Sequence, residues 1–143
     1  MKILSKILIL IVVFAIGFFS GQYLAKIETL PKKIEVGQEI EVSLLLDLGE
    51  GNIKNFKDIR LSEGKTVFDL LKKVTEENNL EFSFKEYPDL GVFVESIDNI
   101  GIDPKSNKWW QYWVNNEYAQ LEAGSFFLED SDTVEWKYIE SQF

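Results

Sequence analysis

The clearest pattern in the chain is a strict alternation of apolar and polar residues from position 39 to position 48. The apolar positions are Ile40, Val42, Leu44, Leu46 and Leu48. Successive residues of a strand point to opposite faces, so a period of two predicts a strand with one buried face. The sequence Gly-Glu-Gly-Asn at 49–52 indicates a turn. Residues 57–61 then predict a second strand, hairpinned to the first.

A helical pattern follows this hairpin. The apolar positions at helical spacing are Val67, Leu70, Leu71 and Val74, and charged residues occupy the opposite face. Thr66 is a candidate N-cap, and Asp69, three residues later, completes a capping box. Asn78 and Asn79 predict the end of the helix. One amphipathic helix of about three turns is therefore expected between two groups of strands.

The rest of the chain predicts strands at 80–84, 91–100, 109–114 and 133–139. Phe93 and Ile97 are expected on one face of the second of these strands, and residues 98–108 are expected to form a loop. Asn115 and Asn116 predict a tight turn into a short strand at 117–119. The order of strands and helix indicates an α+β domain over residues 39–143, a β-grasp-like mixed sheet packed on one helix.

Aromatic residues concentrate in the segment from 109 to 138, which holds all four tryptophans. Trp110, Tyr112 and Val114 share one face of the predicted strand, and Trp109 and Trp113 lie on the other. A sheet with one helix has one well-covered face. We therefore expect the first set in the core and Trp109 and Trp113 exposed, as a surface for a flat ligand, a glycan or a protein. Packing within the sheet is the competing interpretation.

The amino-terminal part has a different composition. Residues 7–19 are apolar apart from the small Gly17, Lys2 and Lys6 precede them, and with residues 20–25 the segment reaches the length of a membrane-spanning helix. Cleavage after Ala25 or Gly21 would place Tyr23 or Phe19 at the −3 position, which favours an uncleaved signal anchor over a removed signal peptide. We predict a cytoplasmic tail at 1–6, a transmembrane helix at 7–25, a tether at 26–38 and an extracytoplasmic domain; the domain is secreted if the signal is cleaved.

The composition excludes many chemistries. The chain has no His and no Cys, so it offers no thiolate nucleophile, no imidazole base and no His- or Cys-ligated zinc. We find no catalytic constellation and expect a non-enzymatic protein. The net charge is −9, which disfavours binding to nucleic acid. Glu129, Asp130 and Asp132 are too few oxygen ligands for a calcium loop, so a solvated turn is expected there and no metal site.

Four motifs, taken in order, carry a family resemblance. They are Gly64-Lys65-Thr66-Val67-Phe68-Asp69-Leu70-Leu71, Phe93-Val94-Glu95-Ser96-Ile97, Trp110-Gln111-Tyr112-Trp113-Val114-Asn115-Asn116 and Asp130-Ser131-Asp132-Thr133-Val134-Glu135-Trp136. Together they resemble the domain of unknown function family DUF4430, which is similar to the C-terminal domain of transcobalamin and intrinsic factor. Three positions depart from the family: Trp109 stands where a Gly is usual, Asn116 replaces the turn Gly, and Ser131 replaces the Gly between two aspartates.

In transcobalamin-like proteins this domain closes over cobalamin against a large helical domain, which this chain lacks. The resemblance therefore implies the fold and an extracytoplasmic compartment, and at most half of a cobalamin site. We predict a membrane-anchored, non-catalytic binding domain for a small, cobalamin-like ligand at a surface formed by Trp109, Trp113, Asn115 and Tyr118. The alternative is a cell-surface protein-interaction or adhesion module that uses the same surface.

Overall fold

A computed structural model describes residues 37–141. The predicted tail, transmembrane helix and nearly all of the tether therefore lie outside the described residues. Within residues 37–141, no helix is long and apolar enough to cross a membrane. The elements, in chain order, are β1 (Glu39–Asp47), β2 (Ile53–Ser62), α1 (Val67–Glu77), β3 (Phe82–Tyr87), β4 (Gly91–Ile97), β5 (Ile100–Gly101), β6 (Lys108–Val114), β7 (Glu117–Tyr118) and β8 (Thr133–Glu140).

The strands form two sheets. The larger sheet has the order β2-β1-β8-β6-β7, and the smaller has the order β3-β4-β5. β1 and β8 run parallel, and the other pairs are antiparallel. Within residues 37–141, the α+β class and the one helix are as the sequence predicted. The expectation of one sheet was wrong, because β4 pairs with β3 and β5 and with no strand of the larger sheet. Asp98 and Asn99, both at positive φ, turn β4 directly back into β5 inside a segment predicted to be a loop.

One core joins the helix to the larger sheet. The buried face of α1 comprises Val67, Leu70, Leu71, Val74 and Thr75, and it belongs to the same apolar cluster as the alternate residues of β1 and β8. The helix begins at the predicted capping box: the Asp69 amide donates to Thr66 Oγ1 at 3.2 Å, and the Thr66 amide donates to Asp69 Oδ2 at 3.1 Å. Such a box satisfies amides that a helix would otherwise leave unpaired.

Burial along β4 does not put Phe93 and Ile97 on one face, as the sequence had predicted. The pairing of β3 with β4 shifts register between Ser83 and Phe84. A bulge of this kind breaks the period of two, so Val94 and Ile97 are both buried. Phe93, predicted to share a face with Ile97, instead contacts Trp109 with ring centroids 6.1 Å apart. This contact brings the two sheets together beside β6.

Candidate functional site

The inner face of β6 and β8 is built from aromatic side chains. Trp110, Tyr112 and Val114 are buried, as the sequence predicted. The strand register sets Tyr112 opposite Trp136 and Trp110 opposite Tyr138. The ring centroids of these pairs lie 5.0 Å and 5.5 Å apart, within the range of favourable aromatic contacts. The result is a continuous aromatic floor.

A cleft of about 420 Å³ opens over this floor, between the two sheets. We call it the inter-sheet cleft. Its lining residues are Val92, Phe93 and Val94 of β4, Trp110, Gln111 and Tyr112 of β6, Trp136 of β8, and the segment Tyr118, Ala119, Gln120, Leu121, Glu122 and Ala123. Successive side chains of a strand point to opposite faces, so one face alone cannot supply three consecutive lining residues. The edge of β4 and the edge of β6 therefore border the cleft, one on each side.

The polar atoms of the floor are not equally satisfied. Trp110 Nε1 donates to the Ile100 carbonyl at 2.9 Å, and the Tyr112 hydroxyl donates to the Leu121 carbonyl at 2.7 Å. In the described part of the chain, two buried side-chain polar atoms have no partner, Trp136 Nε1 and Gln111 Oε1. Trp136 belongs to the floor of the cleft, whereas alternation along β6 turns the Gln111 side chain to the outer face. Leaving such an atom unpaired costs about 1–3 kcal/mol, which a suitable ligand would recover.

The phenol of Tyr112 stays protonated over the whole physiological range. Burial raises the pKa of Tyr112 well above its ordinary value, and the negative charge of Glu122 raises it further. The hydroxyl is therefore a fixed hydrogen-bond donor, and its proton is directed at the Leu121 carbonyl. The protonated Tyr112 phenol is neither a base nor a nucleophile. Its hydrogen bond joins the floor of the cleft to one of its walls.

That wall is the segment from residue 119 to residue 125, which we call the strap. The Ala119 amide donates to the Tyr112 carbonyl at 3.1 Å, and the Ala123 carbonyl accepts from the Phe68 amide at 2.9 Å. Glu122 bonds to the opposite wall through the Val92 amide, at 3.0 Å. Burial on its own would raise the pKa of Glu122, but hydrogen bonds from Ser125, Val92 and Gly124 reverse this and hold the pKa below 4.5.

The outer face of the same strands carries Trp109 and Trp113, which the sequence predicted to be exposed. Both are only partly exposed, because neighbours on the same face cover them. Trp109 packs on Phe93, and its Nε1 donates to Asn107 Oδ1 at 3.0 Å. Trp113 lies between the Tyr118 ring, 5.2 Å away, and Lys137 Nζ, 4.7 Å from the indole centroid.

Asn115 has a structural role in its turn. Its Nδ2 donates to Asp132 Oδ1 at 2.8 Å, and its Oδ1 accepts from the Thr133 amide at 3.0 Å. Asn115 and Asn116 both have positive φ, as the predicted hairpin turn requires. The acidic loop is also a hydrogen-bonded turn: Asp132 Oδ2 accepts from the Glu129 amide at 2.8 Å. Ser131 adopts φ of 69° there, in the position where the family usually has Gly.

The four residues predicted from the sequence do not form one site. Trp113 and Tyr118 meet, Asn115 holds the turn, and Trp109 lies with Phe93 at the other end of β6. Of the four, Tyr118 lines the inter-sheet cleft, and it also borders a second cleft of about 490 Å³ with Asn115. The sequence reasoning missed Trp136 and the strap. The sequence did contain a signal for the strap, because Glu122 is the one acidic residue in the stretch from 118 to 128.

Comparison with family models gives a match over residues 64–140 to DUF4430, a domain of unknown function. The matched segment holds α1, all strands from β3 to β8, and every lining residue of the inter-sheet cleft. The chain belongs to the DUF4430 family. The resemblance read from the sequence is thereby confirmed. No curated protein matches the chain at a significant level.

Solved structures that share the fold of this DUF4430 domain include the following two. One is haptocorrin in complex with Cbi, with 18% identity and a TM-score of 0.60; the match covers 75% of this chain and 27% of haptocorrin. The other is a candidate metal-binding protein from Ruminococcus gnavus ATCC 29149, with 19% identity and a TM-score of 0.57, covering 71% of this chain and 98% of that one. This chain thus spans about a quarter of haptocorrin. Within residues 37–141, no three Asp or Glu side chains are grouped to hold a metal ion.

Proposed function

We propose that this chain is a non-catalytic, small-ligand-binding domain that holds its ligand in the inter-sheet cleft. One observation carries the proposal: the buried indole N–H of Trp136, which has no partner among the described residues, belongs to the floor of this cleft. A folded domain rarely leaves such atoms unpaired. A ligand with a hydrogen-bond acceptor would pair the indole N–H of Trp136, and its apolar part would lie on Tyr112 and Trp110.

The size of the cleft narrows the class of ligand. Its volume of about 420 Å³ is near the lower end of small-molecule sites, which span roughly 300–1,000 Å³. A corrinoid is larger than this, so the domain would hold one part of such a ligand and leave the rest in water. The likeness to haptocorrin in complex with Cbi supports a corrinoid as the first ligand to test. We propose no bound cofactor.

The cellular setting is proposed from the sequence. The apolar segment 7–25 would anchor the chain, and the domain would lie outside the cytoplasmic membrane. All 24 acidic residues, and all but two of the 15 basic ones, follow that segment. This acidic balance suits a soluble domain with no affinity for nucleic acid.

A second function is favoured by the outer face. Trp113 is half-buried between Lys137 and Tyr118, and Ile53, at the edge of the same sheet, is 55% exposed. Aromatic residues on an open sheet face are common in protein interfaces. A cell-surface protein-interaction or adhesion module would use this face and leave the cleft empty.

Calorimetric titration with cyanocobalamin and cobinamide distinguishes the two functions. The 143-residue chain would be kept in detergent micelles because of its apolar segment. Trp136→Phe removes the indole N–H of the cleft floor, and Trp113→Phe makes the same change on the outer face. We expect saturable binding that Trp136→Phe weakens about tenfold, the effect of one lost hydrogen bond, and that Trp113→Phe leaves unchanged.

Binding that Trp113→Phe weakens and that Trp136→Phe leaves unchanged would place the ligand on the outer face. An absence of saturable heat from wild type with either corrinoid would contradict corrinoid binding and favour the protein-interaction module. Calorimetry is preferred to tryptophan emission, because corrinoids absorb light and quench emission without binding.

A further inference from the structure

Glu122 joins the strap to the smaller sheet. Its Oε2 accepts hydrogen bonds from the Val92 amide at 3.0 Å and from the Gly124 amide at 2.8 Å, and the Ser125 hydroxyl donates to Oε1. Val92 is the second residue of β4, so one carboxylate connects the strap to the central strand of the smaller sheet, which forms the opposite cleft wall. Carboxylates that accept backbone N–H bonds form hydrogen bonds of the stronger, charge-assisted kind.

Two glycines make room for this carboxylate. A Cβ on Gly91 would lie 2.6 Å from Glu122 Oε2, and the φ of Gly91 is +78°, which side chains rarely adopt. A Cβ on Gly124 would lie 3.1 Å from the same oxygen and 3.3 Å from Val92 Cγ2. The backbone on both sides of the cleft is thus shaped to receive the Glu122 side chain.

The strap has firm anchors on either side of Glu122. Tyr112 holds residues 119 and 121 to β6, and the Phe68 amide holds residue 123 to the start of α1. Leu121 lines the cleft and is 58% exposed. The segment between these anchors is short, and the bond from Glu122 to Val92 joins two residues that line the cleft on opposite walls. Releasing that bond would free β4 from the strap and leave the strap attached to β6 and α1.

We propose that Glu122 is a latch that sets how far the inter-sheet cleft opens. With the latch closed, the walls hold the cleft at its observed width and keep water from the indole Nε1 of Trp136. The Trp136 residue is only 3% exposed. With the latch open, β4 separates from the strap and the floor becomes accessible. Glu122 is a positioning residue here, because it acts through Val92 and not on a ligand. What enters the cleft rests on the proposed function, whereas the latch itself can be tested without any ligand.

The test is hydrogen exchange of the four indole N–H groups, followed by NMR on the full chain labelled with ¹⁵N-tryptophan. Glu122→Gln replaces one of the two carboxylate oxygens by an N–H₂ group and removes the negative charge, so the latch loses one acceptor and its remaining hydrogen bonds lose their charge assistance. We expect exchange at Trp136 Nε1 to accelerate about tenfold, the factor that one lost hydrogen bond implies. Trp113 Nε1, on the outer face between Tyr118 and Lys137, is the internal reference, and Glu76→Gln, on the exposed side of α1, is the matched control.

An unchanged rate at Trp136 in a folded Glu122→Gln chain would overturn the latch. Equal acceleration of exchange at all four indole N–H groups would also overturn the latch, since it would indicate that the whole domain is destabilised. If Glu122→Gln does not fold, Glu122→Asp keeps the charge but shortens the reach to Val92, and the same selective acceleration is expected. With cyanocobalamin, an open latch should raise both association and dissociation rates, which a local packing defect would not do. Failure of wild type to bind the corrinoid would remove the proposed function and leave the exchange result standing.

Discussion

The two faces of β6 and β8 are both aromatic, yet they differ in how their polar atoms are paired. On the outer face, Trp109 and Trp113 are each covered by a neighbour, and the indole N–H of Trp109 has an acceptor. On the inner face, Trp136 is more deeply buried and its N–H has no acceptor among the described residues. The proposed ligand site therefore lies on the face that hydrophobic patterning assigns to the core, and not on the face that it predicts to be exposed. Exposure alone is a poor guide to a binding site.

The largest expected difference between the two faces is in stability. Trp136→Ala should lower the free energy of unfolding by about 3–5 kcal/mol, because it leaves a cavity in the core. Trp113→Ala should lower it by only about 0.5–1.5 kcal/mol, the size of an aromatic contact together with a partly exposed cation–π contact. Urea unfolding of both variants would measure this. Equal losses would contradict the assignment of the two faces.

Strain in the acidic loop gives a smaller effect. Ser131→Gly should raise the free energy of unfolding by about 0.5–1 kcal/mol, since φ of 69° strains a residue with a Cβ. Ser62→Gly, at the exposed end of β2, makes the same chemical change in an extended strand and should destabilise the domain by a similar amount. If both glycine variants were more stable than wild type, or if neither was, the proposed strain at residue 131 would be refuted. Corrinoid binding should be unaffected, since residue 131 does not line the inter-sheet cleft.

A still smaller change is expected when the cation on the outer face is removed. Lys137→Gln should cost roughly 0.5 kcal/mol, because the contact with Trp113 is near the surface and water screens it. It also removes the partner of Glu135, which lies 2.8 Å from Lys137 Nζ; this ion pair is partly open to water, so its contribution to stability is small. A loss of corrinoid affinity in this variant would move the site to the outer face.

The smallest expected effect is a change in the free energy of unfolding at acidic pH. The pKa of Glu122 is lower in the folded chain than its ordinary 4.5, so the stability that its ionised form contributes is complete above about pH 4.5 and is lost as the pH falls through the lowered value. The difference in unfolding free energy between wild type and Glu122→Gln should therefore shrink below pH 4.5. Solvent screening keeps this change modest, because Glu122 is partly exposed. A difference that does not vary with pH would show that the carboxylate is not ionised in its hydrogen bonds.

Local signals in the sequence predicted the local structure well. Thr66 and Asp69 gave the capping box, the alternation from Ile40 to Leu48 gave β1, and Asn115 and Asn116 gave the hairpin turn. Each of these features is decided by neighbours within a few residues, so the pattern contains the information. The membrane segment and the non-enzymatic character remain predictions.

Long-range features were not predictable in the same way. The division into two sheets depends on strand pairing that no local pattern encodes, and the bulge in β4 moved Phe93 away from the expected face. The cleft arises only when β4, β6 and the strap meet, so Trp136 looked like an ordinary core residue. Its unpaired N–H becomes visible only when the positions of all neighbouring acceptors are known.

The most direct test of the binding site is an NMR titration of the ¹⁵N-tryptophan-labelled chain with cobinamide, following the four indole N–H resonances. The account predicts a saturable shift centred on Trp136 Nε1, with Trp113 Nε1 unmoved, because the unpaired donor of the floor gains an acceptor. A saturable shift at Trp113 or Trp109 with Trp136 unmoved would contradict the cleft as the site. The absence of any saturable shift would contradict corrinoid binding by this domain.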